Sequence, residues 1–330
     1  MRKSSRISVA MAAYNGESYL SEQIESILRQ TFPVAEIVVC DDCSTDNTFP
    51  ILKRYSERFP SLFRVFRNEK RVGVSCNFER AVSLTTGDIV FLSDQDDVWL
   101  PEKVERMTAL LEASPGAEGC FSDSLITDAD LNPTGVSHWE IRGFSNDTLI
   151  AALCGGTLSQ LDIFLKRVPA SGHDMAFRAS AKNSILPFPP LENCHDTWIG
   201  LYLVALHQWT FTGETLTLFR RHRSNFSGVG KDDHFLGRFR AARRSIRENT
   251  FAWNARLFDM LAERLEGKCD AAVEDLLKDR AAHSGIRSAM DCPLHKRLRL
   301  VAGEVRNGRY FRYGRGICSI IQDLLLRKPW

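Results

Sequence analysis

No stretch of this 330-residue sequence approaches the run of about eighteen apolar residues that a membrane-spanning helix needs. The apolar run behind the basic start Met1–Arg6 is short, Ile7 to Ala13, and it stops at Tyr14-Asn15-Gly16. It reads as a first β-strand rather than the core of a signal peptide, so the expected compartment is the cytosol. A glycine-rich dinucleotide fingerprint is missing, because Asn15-Gly16-Glu17 supplies one glycine, and no Gly-Lys-Ser/Thr phosphate loop occurs. Hydride transfer and P-loop nucleotide hydrolysis are thereby disfavoured. Internal repeats and low-complexity tracts are absent. The nine cysteines are odd in number and scattered, which argues for reduced thiols rather than a disulfide framework. Cys40-Asp41-Asp42-Cys43 has redox-motif spacing, but its two carboxylates would raise a thiol pKa where a catalytic thiol needs it lowered.

Net charge is also small, +2, but it hides a division: residues 1–230 sum to −6 and residues 231–330 to +8. A basic tail favours an anionic partner.

Strand and helix patterns alternate along the first part. Ile7–Ala12, Glu36–Cys40, Leu62–Phe66 and Asp88–Leu92 read as strands. Ser18–Arg29, Thr48–Arg58 and Cys76–Leu84 read as helices, with Asp46 placed to cap the second and Pro101 to open the next. Such alternation predicts a parallel sheet covered on both faces. Further on, Cys120–Leu125 and Met175–Phe177 read as strands, His195–Leu206 as a helix, and Trp209–Gly213 with Thr215–Phe219 as a strand pair. From about Asp232 the chain reads as helices separated by Gly267 and Pro293.

Ligands of open parallel sheets bind beyond the carboxyl ends of the strands. Polar residues collect there: Tyr14-Asn15-Gly16 after strand one, Asp41-Asp42 after strand two, and Ser93-Asp94-Gln95-Asp96-Asp97 after strand four. In an extended segment Asp94 and Asp96 point the same way, with Gln95 turned aside. Two hard oxygen ligands suit magnesium or manganese with positions left for phosphate oxygens; a solvated acidic turn is the bland alternative.

These residues carry a resemblance. Ile7 to Arg106 resembles the family-2 glycosyltransferases, inverting enzymes of the GT-A fold, through Tyr14-Asn15-Gly16, Asp41-Asp42-Cys43-Ser44-Thr45-Asp46, Gly73 with Asn77, and Asp94-Gln95-Asp96-Asp97 followed by Trp99 and Pro101. His195-Asp196-Thr197-Trp198 and Phe219-Arg220-Arg221-His222-Arg223-Ser224-Asn225 are similar to a rhamnosyltransferase-like branch that builds surface polysaccharide. The resemblance covers about residues 6–230. It implies an α/β fold of GT-A (nucleotide-diphospho-sugar transferase) type, a doubly wound mixed sheet with a C-terminal helical extension. Residues 1–230 would be catalytic, with a nucleotide-sugar half (1–113) and an acceptor half (114–230), and residues 231–330 a basic helical region.

By position, the resemblance implies that Ala12 and Tyr14 lie against the nucleoside and that Asp42 accepts the imide hydrogen of uracil or thymine. Asp94 and Asp96 would hold a divalent metal, manganese or magnesium, and the ribose–diphosphate. His222 would be a third metal ligand, Arg71, Arg220 and Arg221 contacts of the diphosphate, and Asp196 the general base. His173 and Trp198 would face the acceptor. The implied donor is a UDP- or dTDP-sugar, rhamnose favoured, and the acceptor a glycan or lipid-linked glycan. Cys43 departs from the glycine often found there, which puts the turn after Asp42 in question.

Rival readings remain. A sugar nucleotidyltransferase needs a glycine-rich basic loop where Asn15-Gly16-Glu17-Ser18-Tyr19 stands, and a silent nucleotide-sugar scaffold would leave the acids without a use. A polysaccharide-binding module would leave the nucleotide-type crevice unexplained. The His173-Asp174 and His195-Asp196 pairs suggest a metal phosphohydrolase only if both lie on packed helices. In the tail, Tyr310 to Leu325 with Arg327, Lys328 and Trp330 leaves three readings open: peripheral contact with the inner membrane face, packing on the catalytic domain, or self-association. Nucleic acid is not an expected partner, since the cations do not alternate with an aromatic platform.

Overall fold

The structure is a computed structural model that describes residues 5–222 and 250–325. The chain divides into two compact units, Met1–Gln160 with Pro169–Asn225, and Leu161–Val168 with Phe226–Trp330. The expected boundary near residue 230 lies outside the described residues, as do Arg223, Ser224 and Asn225 of the second motif block.

The first unit runs β1 (Ile7–Ala13), α1 (Leu20–Leu28), β2 (Glu36–Asp41), α2 (Thr48–Arg58), β3 (Phe63–Arg67), α3 (Val74–Leu84), β4 (Ile89–Ser93), β5 (Val98–Trp99) and α4 (Lys103–Ala113). It continues with β6 (Ala117–Thr127), β7 (Pro133–Ser137), α5 (His138–Arg142), α6 (Asn146–Cys154), α7 (Gly156–Lys166), β8 (Met175–Arg178), α8 (Lys182–Ile185), α9 (His195–Leu206) and β9 (Gln208–Arg220). The strands form one sheet in the order β3-β2-β1-β4-β8-β6-β9-β5, with β7 beside β6. Pairing is parallel from β3 to β4, and β8 enters antiparallel between β4 and β6. All seven residues of β1 and all six of β2 are buried, as strands covered on both faces must be.

Three expectations are corrected. Pro101 sits in a turn, and α4 begins at Lys103, because Leu100 accepts the Lys103 N–H. Asn47, not Asp46, occupies the cap of α2, although Asp46 still accepts the Thr48 and Glu17 N–H groups. Trp209–Phe219 is not a hairpin but part of β9, whose residues run parallel to β6 with register shifts around Asp123. The turn-like Gly213-Glu214 pair lies within that strand. The β5–β9 pairing, Val98 opposite Leu218, brings residues 219–222 to the acidic loop after β4.

The second unit holds α10 (Thr250–Leu265), α11 (Ala271–Ser288), α12 (Leu294–Arg306), α13 (Arg309–Tyr313) and α14 (Ile317–Leu325). Met290, Val301 and Tyr310 form a small core with Ile286, Leu300, Ile320 and Leu324 against it. Buried ions join the helices: Arg287 Nε donates to Asp323 Oδ2 at 2.7 Å, and Tyr310 Oη to the same oxygen at 2.9 Å. Among the described residues no helix is long and apolar enough to cross a membrane.

Gly119 lies in β6 directly under Trp209, and a Cβ there would meet the indole at 2.7 Å. Gly119→Ala is expected to lower stability by about 1–3 kcal/mol through overpacking, read by urea denaturation.

Candidate active site

Sheet order reverses between β1 and β4: the chain winds outward from β1 to β3 and then returns to the other side of β1. The crevice beyond their carboxyl ends is where a ligand binds such a sheet. Gln95 bridges it. Its amide accepts the Tyr14 N–H at 2.8 Å and donates to the Tyr14 carbonyl at 2.9 Å, so the loops after β1 and β4 are locked together. This approach requires glycine at position 16, where a Cβ would sit 2.2 Å from Gln95 Oε1. The same loop is tied to that after β2, through Asn15 N–H on Ser44 Oγ (3.0 Å) and Thr45 N–H on Asn15 Oδ1 (2.8 Å). Cys43 takes φ 62, the left-handed region, which explains why glycine suits that position; the turn is retained with a strained residue.

Asp42 is buried, and its carboxylate accepts from Asn68 Nδ2 (2.8 Å), Val72 N–H (2.8 Å) and Gly73 N–H (2.9 Å). Asn77 completes the group by donating to the Cys40 carbonyl at 2.7 Å. The loop is thus folded around Asp42, and Arg71 within it lays its guanidinium over the Tyr14 ring at 4.2 Å. Ala12 is 9% exposed near the end of β1. Cys40 is buried, and burial pushes its thiol up to about 11, which removes the redox reading of Cys40 and Cys43. All nine cysteines are free.

The acidic loop separates its carboxylates by environment. Asp96 receives His222 Nε2 at 2.9 Å, and the imidazole is backed by the Tyr19 ring at 4.5 Å. Asp94 keeps 36% of its side chain open. Its desolvated flank and the Asp96 carboxylate push its pKa up to about 7 against the pull of His173, with Asp196 and Asp174 adding to the rise. Asp97 is fully buried; burial drives its pKa well up, His173 opposes, and Asp96 and Asp94 add to it. Its Oδ1 accepts the Arg220 N–H at 3.0 Å, while Oδ2 has no hydrogen-bond partner among the described residues.

Several expected roles change. Asp96 pairs with His222 rather than closing a compact group with Asp94. The compact ligand groups among the described residues are instead Asp94–Asp97–His173 and His138–His173–Asp174. His173 is no acceptor contact: it is buried beneath the acidic loop, stacked on Phe219 at 4.5 Å and 3°, with Nδ1 3.8 Å from Asp94 and Nε2 2.9 Å from Asp174. Trp198 is 1% exposed and donates its indole N–H to the Ile185 carbonyl, so it is core rather than acceptor surface. Arg220 is buried too, spending its guanidinium on the Asp96 carbonyl, the Ala129 carbonyl and Glu22. Arg221 stays half-buried, with its N–H on the Thr127 carbonyl.

Asp196 stands in the first turn of α9, near enough to Asp94 to raise its pKa. It does not cap the helix, a position held by Cys194; its Oδ1 accepts the Thr197 N–H at 2.6 Å, and Oδ2 has no partner among the described residues. The His173–Asp174 pair precedes β8, so the two His–Asp pairs do not both lie on packed helices, and the phosphohydrolase reading falls.

Sequence reasoning missed Gln95 as a clamp and Lys103 as a buried cation. Lys103 Nζ donates to the His173 carbonyl (2.5 Å) and Thr217 Oγ1 (2.6 Å), and burial draws its pKa down to about 8 against Asp174 and Asp97. A lysine two residues after a turn proline carries no signal of burial.

Burial alone would lower the pKa of His173, but Asp174, Asp97 and Asp94 outweigh it and raise it to about 9. Burial likewise opposes the Asp174 charge, and His173 overrides it to hold the pKa at about 2. The pair's stabilisation is therefore lost as pH rises from 6.5 through about 9, and as it falls from 3.8 through about 2. His173→Asn is expected to cost about 3–5 kcal/mol near pH 5–6, with the gap from the parent protein closing at alkaline pH, followed by denaturation across pH.

The sequence model of "Glycosyl transferase family 2" matches residues 8–142. The putative glycosyltransferase EpsE of Bacillus subtilis is 35% identical over 112 residues, 34% of this chain and 40% of that protein. The dTDP-rhamnosyl transferase RfbG of Shigella flexneri is 33% identical over 120 residues, 35% of this chain and 41% of the relative. The matched part thus spans about two fifths of these relatives. Among solved structures, S. aureus TarS 1-349 in complex with UDP-GlcNAc shares the fold with a TM-score of 0.58 at 19% identity, over 82% of this chain and 70% of that one. The mannosyltransferase PcManGT from Pyrobaculum calidifontis, in complex with GDP-Man and Mn2+, does so with a TM-score of 0.52 at 17% identity, over 98% and 86%. Residues 8–142 thus match the model of glycosyl transferase family 2, and the chain as a whole shares the fold of these two solved glycosyltransferases.

Proposed function

We propose that the protein is a metal-dependent, inverting glycosyltransferase that moves a sugar from a UDP- or dTDP-linked donor to a glycan acceptor in surface-polysaccharide synthesis. The observation that carries this reading is that the loops after β1, β2 and β4, which hold Asp42, Asp94 and the Asp96–His222 pair, are tied together at the sheet reversal, with Asp196 near Asp94. Rhamnose is the favoured sugar, supported by the likeness to the dTDP-rhamnosyl transferase of Shigella flexneri.

In this reading the pyrimidine lies against Tyr14 and Arg71, and Asp42, held by its loop, accepts the imide N–H. The donor set fits a divalent ion. Two carboxylates and an imidazole are ligand types such an ion takes, and Asp94, half open and pushed up to about 7 despite His173, is a carboxylate that a further cation would relieve. Asp94, Asp96 and His222 would hold manganese or magnesium, whose chemistry when bound is to neutralise charge on the departing diphosphate. Asp196 takes the proton from the acceptor hydroxyl as its oxygen bonds to the anomeric carbon. The bond to the diphosphate oxygen breaks on the opposite face, and the anomeric centre inverts.

Melting temperature should rise with UDP or dTDP only when manganese is present, and His222→Ala should abolish the metal dependence. Asp196→Asn should keep that shift yet lower release of nucleoside diphosphate from the sugar donor, measured with acceptor glycan present, by about 10²–10⁴-fold. Full activity in Asp196→Asn removes the base assignment. No shift with either pyrimidine diphosphate removes the donor assignment.

A further inference from the structure

The last helix of the second unit, α14, buries polar side chains and turns an aliphatic stripe outward. In α14 the buried residues are Ser319, Gln322 and Asp323, while Ile317, Ile321 and Leu325 are 64%, 48% and 73% exposed. A helix packed on a soluble domain shows the opposite arrangement. The inversion has a local cause: Asp323 is held inward by Arg287 and Tyr310, so the aliphatic stripe at i, i+4, i+8 turns out. Helix α12 adds a second stripe, Leu294, Leu298 and Val305, exposed at 57%, 49% and 39%. The Arg297 guanidinium bonds the Leu324 carbonyl at 3.1 Å and ties the two helices together. With Phe311, seven of the eleven large apolar side chains exposed among the described residues fall between Leu294 and Leu325. An apolar surface so concentrated marks an interaction site.

The charges on this surface decide what covers it. From Leu294 to Leu325 the acids are Glu304 and Asp323, both buried and paired internally. Lys296, Arg299, Arg306 and Arg315 are exposed, with no ion pair among the described residues. Arg299 and Arg306 each follow an exposed apolar residue of α12 by one position, about 100° round the helix, so they border the stripe. Beside Phe311 and Ile317 opens a hollow of about 500 Å3 flanked by Lys166 and Arg315. Aliphatic ridges bordered by unpaired cations match a bilayer surface, where acyl chains take the former and phosphates the latter. A second copy suits the face less well, because a two-fold interface would set these cations against their own equivalents.

We propose that α12–α14 form a docking face for a bilayer rich in anionic phospholipid. The proposal rests on the second unit alone and does not depend on the donor or the reaction.

The test is sedimentation of the full chain with vesicles of phosphatidylcholine alone or mixed with phosphatidylglycerol. The protein is expected to bind the mixed vesicles at least tenfold more tightly, and salt should weaken the binding. Ile321→Glu, which alters an exposed position, should abolish it. Arg299→Gln and Arg306→Gln should each weaken it about fivefold. Each variant's melting temperature, with and without nucleoside diphosphate and manganese, reports folding and the donor site separately. Absent or equal binding to the two vesicle types overturns the proposal. So does a dimer, seen by light scattering, that Ile321→Glu dissociates while vesicle binding is unchanged.

Discussion

The carboxyl edge of this sheet carries more negative charge than it can hold unaided. Asp94, Asp96, Asp97 and Asp174 crowd beneath one crevice, and two of them, Asp97 and Asp174, are buried. Isolated carboxylates in such a place would protonate or drive the loop apart. Three buried cationic groups oppose this, and hold Asp174 ionised while Asp94 and Asp97 stay raised: His173 between Asp94, Asp97 and Asp174, Lys103 behind them, and Arg220 across the backbone of the acidic loop. Much of the first unit's topology serves their delivery. β8 carries His173 into the middle of the sheet, α4 brings Lys103 beneath it, and the β5–β9 pairing presents Arg220 and His222. What is least compensated lies at the open side, where Asp94 is half-buried and raised.

That division explains why arginines near a proposed diphosphate site can mislead. Arg220 and Arg221 are neighbours in sequence and look alike, but alternation along β9 turns the first inward. Once there, every direction of its guanidinium meets an acceptor of the protein. Arg71, in a loop stitched to Asp42 through its Val72 and Gly73 N–H groups and the Asn68 amide, keeps its charge outside over Tyr14.

The nucleotide half was legible because its signals are local. Buried parallel strands read as apolar runs, and the helix expected over about Thr48–Arg58 is α2. Loop residues at the strand ends likewise followed from the rule that ligands gather there. The second half was harder because long-range pairing decides it. Gly213-Glu214 has the composition of a turn, yet β6 supplies a parallel partner along the whole of β9, and the irregularity is absorbed as register shifts. His173 and Trp198 belong to motifs that suggest a ligand, and their burial depends on β8 and α8, which are distant in sequence from the acidic loop. Gln95 was set aside as pointing away from the acids. It does so, and the Tyr14 backbone it points to is what joins the two sides of the crevice.

The same reasoning about buried charge links the two units, though each stands by itself. In the first, carboxylates are kept in the interior because their exposed neighbours face a crevice that has a use for negative charge. In the second, Asp323 and Glu304 are buried against Arg287, His283 and Arg309, and the consequence is that residues 294–325 themselves expose no acid. Replacing a buried ion pair with apolar residues is often neutral or stabilising, so stability alone does not account for such pairs. Here the Arg287–Asp323 pair fixes which side of α14 turns inward, and with it the outward aliphatic stripe. A hydrophobic inner face would have the reverse effect: Ile317, Ile321 and Leu325 would compete for the interior, and the cations at the edge of α12 would border a polar surface. The buried pair is therefore the element that makes the outer face of these helices both apolar and positive.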